Sequence, residues 1–312
     1  MSTYEPMKAV LVDRPFSDPD WVFERKLDGI RCGALRRDGS VTLISRSGQT
    51  LSGAYPELVD ALAVDGPDLL ADGEIVAFAD GRTSFERLQQ RMQIRDPQRA
   101  RRSRVAVYYY LFDLLELDGE DLRGVPLRER KAKLRSAVEF RGRLRLSAYR
   151  SGDGETAFRS ACSRGWEGLI AKRAASRYVA TRSRDWLKLK CAHGQELVIG
   201  GWTDPKGSRK RFGALLVGYW QDEKLRYAGK VGTGFDATTL DRVGDELEHR
   251  ERSTAPFARD ADLPRRAHWA EPELVAQIGF AEWTRDGKLR QPRFQGLRED
   301  KPAREVVREV AT

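Results

Sequence analysis

Lys26 stands in the stretch Glu24-Arg25-Lys26-Leu27-Asp28-Gly29-Ile30-Arg31, among two acids and two arginines. A lysine amine attacks an electrophile only when nearby positive charge or desolvation lowers its pKa and frees the lone pair. Arg25 and Arg31 are expected to supply that charge, and Arg31 can also fork onto a phosphate or a sugar. Asp28-Gly29 suits a tight turn, but a turn has no need of Lys26 or Arg31. Taken alone, the stretch also fits a solvated hairpin, so its meaning depends on partners elsewhere in the chain.

Several stretches offer such partners. Glu74 falls inside the apolar run Gly73-Glu74-Ile75-Val76-Ala77-Phe78, where a carboxylate is costly unless paired, hydrogen-bonded or bound to a cation or ligand. Glu167 stands at the entry to Gly168-Leu169-Ile170-Ala171-Lys172. In Trp186-Leu187-Lys188-Leu189-Lys190 the strand period of two puts Lys188 and Lys190 on one face. A solvated surface tolerates that pairing, and a polyphosphate rewards it. Phe112, beside Asp113 at the far end of the most apolar run (105–115), either packs in the core or stacks on a base. Arg46, in the turn Ser45-Arg46-Ser47-Gly48, reaches a nucleotide or faces solvent, and Arg99, Arg101, Arg102 and Arg104 form a basic loop.

The elements that must position these groups follow from local pattern. Residues 1–20, with Pro15 and Pro19, read as an irregular lead-in, and Trp21-Val22-Phe23 is a strand delivering Lys26 into a loop. Residues 41–44 are a strand, 55–62 a helix, and 68–71 with 73–78 a buried strand pair or one bent strand. Helices are expected after Thr83-Ser84, from Pro126, and over 155–163. From residue 192 the texture shifts to short strands at 197–202, 213–220 and 225–228, a helix capped by Asp236, and a strand over 275–283. Residues 289–301 read as too charged and irregular for a core strand.

Composition narrows the class. The 312 residues are 40% hydrophobic and 33% charged, as in a soluble globular protein of two ordinary domains or one large one, and the net charge of +9 favours a polyanionic partner. No apolar run approaches a membrane span, and the first residues lack a secretory pattern, so a cytoplasmic, nucleoid-associated protein without membrane contact is expected. Cys32, Cys162 and Cys191 are scattered and odd in number, arguing against a disulfide framework or a zinc cluster, and His193, His249 and His268 are scattered too.

In order and spacing, Lys26-Leu27-Asp28-Gly29-Ile30-Arg31, Asp72-Gly73-Glu74, Phe112-Asp113, Glu167 to Lys172, Trp186 to Lys190 and Arg298-Glu299-Asp300-Lys301 resemble the covalent nucleotidyltransferases, the ATP-dependent DNA ligases and mRNA-capping enzymes. Glu196 to Trp202, Gly207-Ser208-Arg209, Phe212 to Gly218, Tyr227 to Phe235 and Phe294 to Arg298 narrow the resemblance to the ligase module of bacterial end-joining ligases. The resemblance implies an α+β fold of two domains. An ATP-grasp-like adenylyltransferase (nucleotidyltransferase) domain of antiparallel sheets with flanking helices would span 1–191, and an OB-fold β-barrel 192–312.

It further implies that Lys26 takes AMP from ATP, passes it to a DNA 5′-phosphate, and is followed by attack of a 3′-hydroxyl that seals the break. Glu24 would lie at the adenine end, Phe112 on the purine, and Arg31 and Glu74 at the ribose. Arg46 and Arg182 would contact phosphate or the nucleotide and nick, and Lys188 and Lys190 the α-phosphate. Arg298 and Lys301 on the barrel would orient pyrophosphate in the first step and then move away. Glu74 and Glu167 would face Mg²⁺, with Mn²⁺ as an alternative ion. Lys26 stands too near the start for a preceding DNA-binding domain, so nicked or broken duplex DNA would be gripped by two domains and basic loops of a monomer, with a Ku-type end-binding protein as candidate partner. The competing readings are an RNA ligase, a capping-type nucleotidyltransferase, and a DNA-binding module without turnover.

Overall fold

The structure, a computed structural model, describes residues 4–64, 66–191, 194–205, 207, 210–258, 262–264 and 266–309, and the elements below are those of the described residues. His193, Ser208 and Arg209 lie outside them. The chain divides into two compact units, Met1–Cys191 and Ala192–Glu309. Among the described residues no helix is long and apolar enough to cross a membrane.

The first unit opens with strands β1 (Lys8–Leu11), β2 (Asp18–Lys26), β3 (Ile30–Arg37) and β4 (Ser40–Ser45), then helix α1 (Pro56–Leu62). Strands β5 (Leu69–Ala79) and β6 (Arg82–Thr83) lead to helices α2 (Phe85–Met92) and α3 (Pro97–Arg101). Next come β7 (Val107–Leu117), β8 (Glu120–Asp121), α4 (Leu127–Ala137), β9 (Leu144–Leu146) and β10 (Tyr149–Gly152). Helix α5 (Gly154–Ser163), β11 (Gly168–Arg173) and β12 (Arg182–Lys190) complete it.

These strands make two sheets, one in the order β1-β12-β11-β2-β10 and one in the order β4-β3-β5-β7-β8, with β6 on β5 and β9 on β7. Pairings are antiparallel except β1 with β12 and β7 with β9, which are parallel. Strand alternation decides the faces. In the first sheet Phe23, Leu169, Ala171, Leu187 and Leu189 bury against Ala157 and Ala161 of α5. Each such leucine or phenylalanine contributes about 1.5–3 kcal/mol when fully buried, which pins the register and leaves the intervening residues on the opposite face. In the second sheet Leu43, Ala71, Ile75, Tyr109 and Leu111 pack on Leu58, Leu88 and Leu134 of α1, α2 and α4. A separate apolar group, Tyr4, Met7, Leu70, Phe112, Leu115, Tyr178 and Trp186, draws on both sheets and joins them.

Helix starts are satisfied locally. Ser84 accepts from the Arg87 amide at 3.2 Å and Asp153 from the Thr156 amide at 3.3 Å, while Pro126 precedes α4. Three expectations need correction, and the alternative left open over 68–78 is resolved. Residues 1–20 hold β1 and the start of β2, because β1 pairs with the distant β12 and local pattern does not show such a partner. Residues 68–78 are one bent strand, with register shifts against β7 at Leu70/Ala71 and Asp72/Gly73. The basic loop contains α3, capped by Asp96, and Arg101 in it is tied to Asp60. Cys162 and Cys191 are joined in a disulfide, because the end of α5 packs beside the end of β12; Cys32 stays free and buried.

The second unit contains β13 (Gly194–Trp202), β14 (Leu215–Gln221), β15 (Lys224–Val231), α6 (Ala237–Glu248), β16 (Glu251–Arg252) and β17 (His268–Ala270). Strands β18 (Val275–Gly279), β19 (Glu282–Trp283), β20 (Leu289–Arg290) and β21 (Arg293–Leu297) follow. Its main sheet runs β15-β14-β13-β17-β16, with β18 joining β13 to β21. Short antiparallel strands around a core of Leu197, Ile199, Leu216, Val217, Val231 and Ile278, with one interposed helix, make the OB-type unit. Asp236 caps α6 by accepting from the Thr239 amide at 2.7 Å. The strand expected over 275–283 is split into β18 and β19. Residues 293–297 are a strand after all, since alternation buries Phe294 while Arg293 and Gln295 face outward.

Candidate active site

The first sheet aligns the basic residues by backbone register. Lys26 on β2 is opposite Gly168 on β11, and Gly168 is opposite Lys190 on β12. One step along, Glu24, Ile170 and Lys188 form a second row. Directly paired residues share a face, as do residues two apart, so Glu24, Lys26, Lys188 and Lys190 all lie on the face away from α5. Gly168 has φ 151°, and a Cβ there would lie 1.9 Å from the Leu189 carbonyl oxygen, so no other residue fits between Lys26 and Lys190. Gly29, in the link to β3, is equally constrained: its Cβ would meet the Ile75 carbonyl oxygen at 2.2 Å.

Lys26 is the last residue of β2, and its ammonium pairs with Glu167 just before β11. Burial alone would push the amine down, but Glu167, with Asp28 and Glu74, outweighs it and holds the amine above its ordinary value. This corrects the expectation that arginines lower it. Alternation sends Arg25 to the other face of β2, where its guanidinium stacks on Trp166 at 4.5 Å. Arg31 is engaged by an acid of its own: it donates twice to Asp72, at 2.6 Å to each oxygen.

Asp72 is the fully buried carboxylate of Asp72-Gly73-Glu74, whereas Glu74 is only half-buried. Tyr4 and Tyr178 also donate to Asp72, at 2.7 and 2.6 Å. Arg31 is opposite Glu74 across β3 and β5, and Glu74 is opposite Tyr110 on β7. Arg46 follows Ser45, which is opposite Cys32, and so lies at the Arg31 end of the second sheet.

Glu24 is 2% exposed and accepts from Lys131 of α4 at 2.8 Å, Ser147 at 3.0 Å and Lys172 of β11 at 3.1 Å. Burial alone would raise its pKa, yet the two lysines hold it below the usual carboxylate range. Burial pushes the Lys172 amine down to about 8. That ammonium sits 4.1 Å from the Phe112 ring centre and 4.2 Å from that of Trp186. Phe112 is itself buried, with the Arg31 guanidinium 4.7 Å from its ring. Its ring is therefore not an open platform, as the stacking role implies: a base gains the ring only where a cation leaves it.

Thus Glu24, Lys26, Lys188, Lys190 and Glu167 gather on one sheet, with Arg31, Glu74, Phe112 and Arg46 on the other sheet of the same unit. Arg182 is exposed at the opposite end of β12 from Lys188, donating to the Ala9 carbonyl at 2.7 Å. In the second unit Arg298 donates to both oxygens of Asp300, at 2.8 and 2.9 Å, and Lys301 pairs with Glu196 at 2.8 Å.

Sequence reasoning passed over Asp72, Lys131 and Lys172 as site residues. Asp72 carried a signal, since it lies two residues before Glu74 and thus on the same strand face. Lys172 likewise falls on the face of Ile170. Lys131, within a charged amphipathic helix, gave none.

Residues 6–190 match the family described as ATP dependent DNA ligase domain, and residues 208–301 match the ATP dependent DNA ligase C terminal region. The chain is 42% identical to the multifunctional non-homologous end joining protein LigD of Pseudomonas aeruginosa, over 97% of the chain and 36% of that protein. It is 40% identical to the multifunctional non-homologous end joining DNA repair protein LigD of Mycobacterium tuberculosis, over 93% of the chain and 37% of that protein. The chain therefore spans little more than a third of these relatives. A solved structure of mycobacterial DNA ligase D complexed with ATP and MES is similar over 98% of both chains, with a TM-score of 0.68 and 35% identity.

Proposed function

The chain belongs to the ATP-dependent DNA ligases, and from that membership we propose that it seals 5′-phosphate/3′-hydroxyl breaks in duplex DNA, as the ligase module of an end-joining pathway. The observation that carries this reading is the row Lys26, Gly168, Lys190, flanked by Glu167 and continued by Lys188, which sets one candidate nucleophile and two further lysines on one sheet face.

In the first step the Lys26 ammonium gives up its proton to water, and the free amine forms a bond to the α-phosphorus of ATP while the bond to pyrophosphate breaks. Lys188 and Lys190 neutralise charge on the α-phosphate, and Arg31 and Glu74 hold the ribose. Glu24 faces the base, and the purine takes the Phe112 ring as the Lys172 ammonium slides off it, still bonded to Glu24 Oε2. AMP then passes to the DNA 5′-phosphate, and the 3′-hydroxyl displaces it. Arg46 and Arg182 serve phosphate contacts, and Arg298 and Lys301 orient the leaving pyrophosphate.

A divalent cation fits the residues present. The second Glu167 oxygen is buried and meets no hydrogen-bond donor among the described residues. These residues include no cluster of three or more ligating side chains, which suits Mg²⁺, an ion commonly held by one or two carboxylates with phosphates and water. Glu167 and Glu74 would hold it, and when bound it supplies charge neutralisation on the phosphates; Mn²⁺ satisfies the same oxygen donors. The basic excess of the chain supports a duplex partner, and an end-binding protein of the Ku type is the partner proposed. The test is ligation of nicked duplex DNA with ATP and Mg²⁺, against nicked RNA and against GTP. Sealing of DNA with ATP is expected, and label transfer from GTP alone would overturn the reading.

A further inference from the structure

Consecutive residues of α4 hold both sheets of the first unit at the Glu24 end. Arg130, fully buried, donates to Asp113 of β7 at 2.7 and 2.8 Å and fixes the helix there. The next residue, Lys131, is 4% exposed and divides its ammonium between Glu24 Oε1 on β2, at 2.8 Å, and the Phe112 carbonyl on β7, at 3.2 Å. Ser147 and Lys172 both donate to the other oxygen, Oε2. A carboxylate has about four acceptor positions. With one donor on Oε1 and two on Oε2, the position left over is on Oε1, beside Lys131.

We propose that Lys131 is a positioning residue for base selection: it keeps the Glu24 carboxylate ionised and turned so that the remaining Oε1 position accepts one N–H from the base, and it locks that carboxylate to the backbone of Phe112. The proposal rests on the reading of Glu24 as the base-facing carboxylate. An ionised acceptor favours the purine that presents an exocyclic amine, adenine, and repels the one that presents a carbonyl oxygen there, guanine. Without Lys131, Glu24 would be held from one side only, and its Oε1 would be free to turn. The low pKa of Glu24, which the lysine charges impose against its burial, is consistent with an acceptor that stays ionised.

The test compares label transfer to the protein from α-labelled ATP and α-labelled GTP in the unmodified chain and in Lys131→Met, Lys131→Arg, Ser147→Ala and Glu24→Gln. Lys131→Met is expected to lower the ATP-over-GTP ratio of k/KM by about 10–100-fold, the range for losing a hydrogen bond to a charged group. KM for ATP should rise by more than the maximal rate falls, and Lys131→Arg should restore most of the ratio. Ser147→Ala, a milder change at Oε2, should lower the ratio by about threefold and serves if Lys131→Met does not fold. An unchanged ratio in a folded Lys131→Met, or in Ser147→Ala when only that variant folds, overturns the assignment of Lys131. Glu24→Gln should also lose the preference, and if it keeps it the base-facing reading falls, and this proposal with it. An unmodified chain that takes no label from ATP overturns the functional reading itself, a result distinct from the other two.

Discussion

Glu167 pairs with the Lys26 ammonium through one oxygen, while its other oxygen is buried and meets no donor among the described residues. The same side chain therefore keeps the candidate nucleophile protonated and retains an open oxygen for a cation. In Glu167→Gln the largest charge that raises the Lys26 amine is gone, and only Asp28 and Glu74 are left to oppose the downward push of burial. Acylation of Lys26 by an amine reagent at mildly alkaline pH should speed up by about threefold to tenfold, followed by mass spectrometry. AMP transfer should drop by about a hundredfold. The raised amine also contributes to stability. That contribution is fully present below the ordinary lysine value of 10.5 and is lost as pH rises through the higher folded value, so the variant should lose less stability on that alkaline limb. Unchanged labelling would contradict the pairing.

Asp72 is fully buried and takes two bonds from Arg31 and one each from Tyr4 and Tyr178. Asp72→Asn leaves the Arg31 guanidinium without its counter-charge and should cost about 3–5 kcal/mol in urea unfolding. A loss under about 1 kcal/mol, the value of a surface pair, would show that the cluster is not closed.

Gly168→Ala places a Cβ against the Leu189 carbonyl in a backbone conformation that side chains rarely adopt. Stability should fall by about 1–3 kcal/mol, and separation of β11 from β12 should slow AMP transfer in parallel. Thermal unfolding and label transfer check both, and full activity would contradict the row geometry.

Lys301, held by Glu196 in the second unit, is assigned to the leaving pyrophosphate. Lys301→Ala should slow lysyl-AMP formation by about a hundredfold and slow sealing of pre-adenylated nicked DNA by less than about threefold. Equal losses in the two assays would place Lys301 in a later step.

Legibility followed the range of the interactions. Alternation in Trp186 to Lys190 is local, and the register puts Lys188 and Lys190 on one face as it reads. The Ser84 and Asp236 caps and the helices they start are local as well. The charge around Lys26 differs from the sequence reading because neighbours in sequence are not always neighbours in a strand: Arg25 points to the opposite face, and the distant Glu167 and Glu74 join the nearby Asp28. The β1–β12 pairing and the Cys162–Cys191 bond join segments whose proximity only the packed sheet creates. Lys131 escaped notice for the same reason, since its partners lie on strands of two different sheets.

The most direct test is the mass of the intact chain after incubation with ATP and Mg²⁺, beside Lys26→Ala, with the modified peptide sequenced. One AMP on Lys26 of the unmodified chain and none on the variant is the predicted result. AMP on another side chain, or equal adenylation of Lys26→Ala, would contradict it.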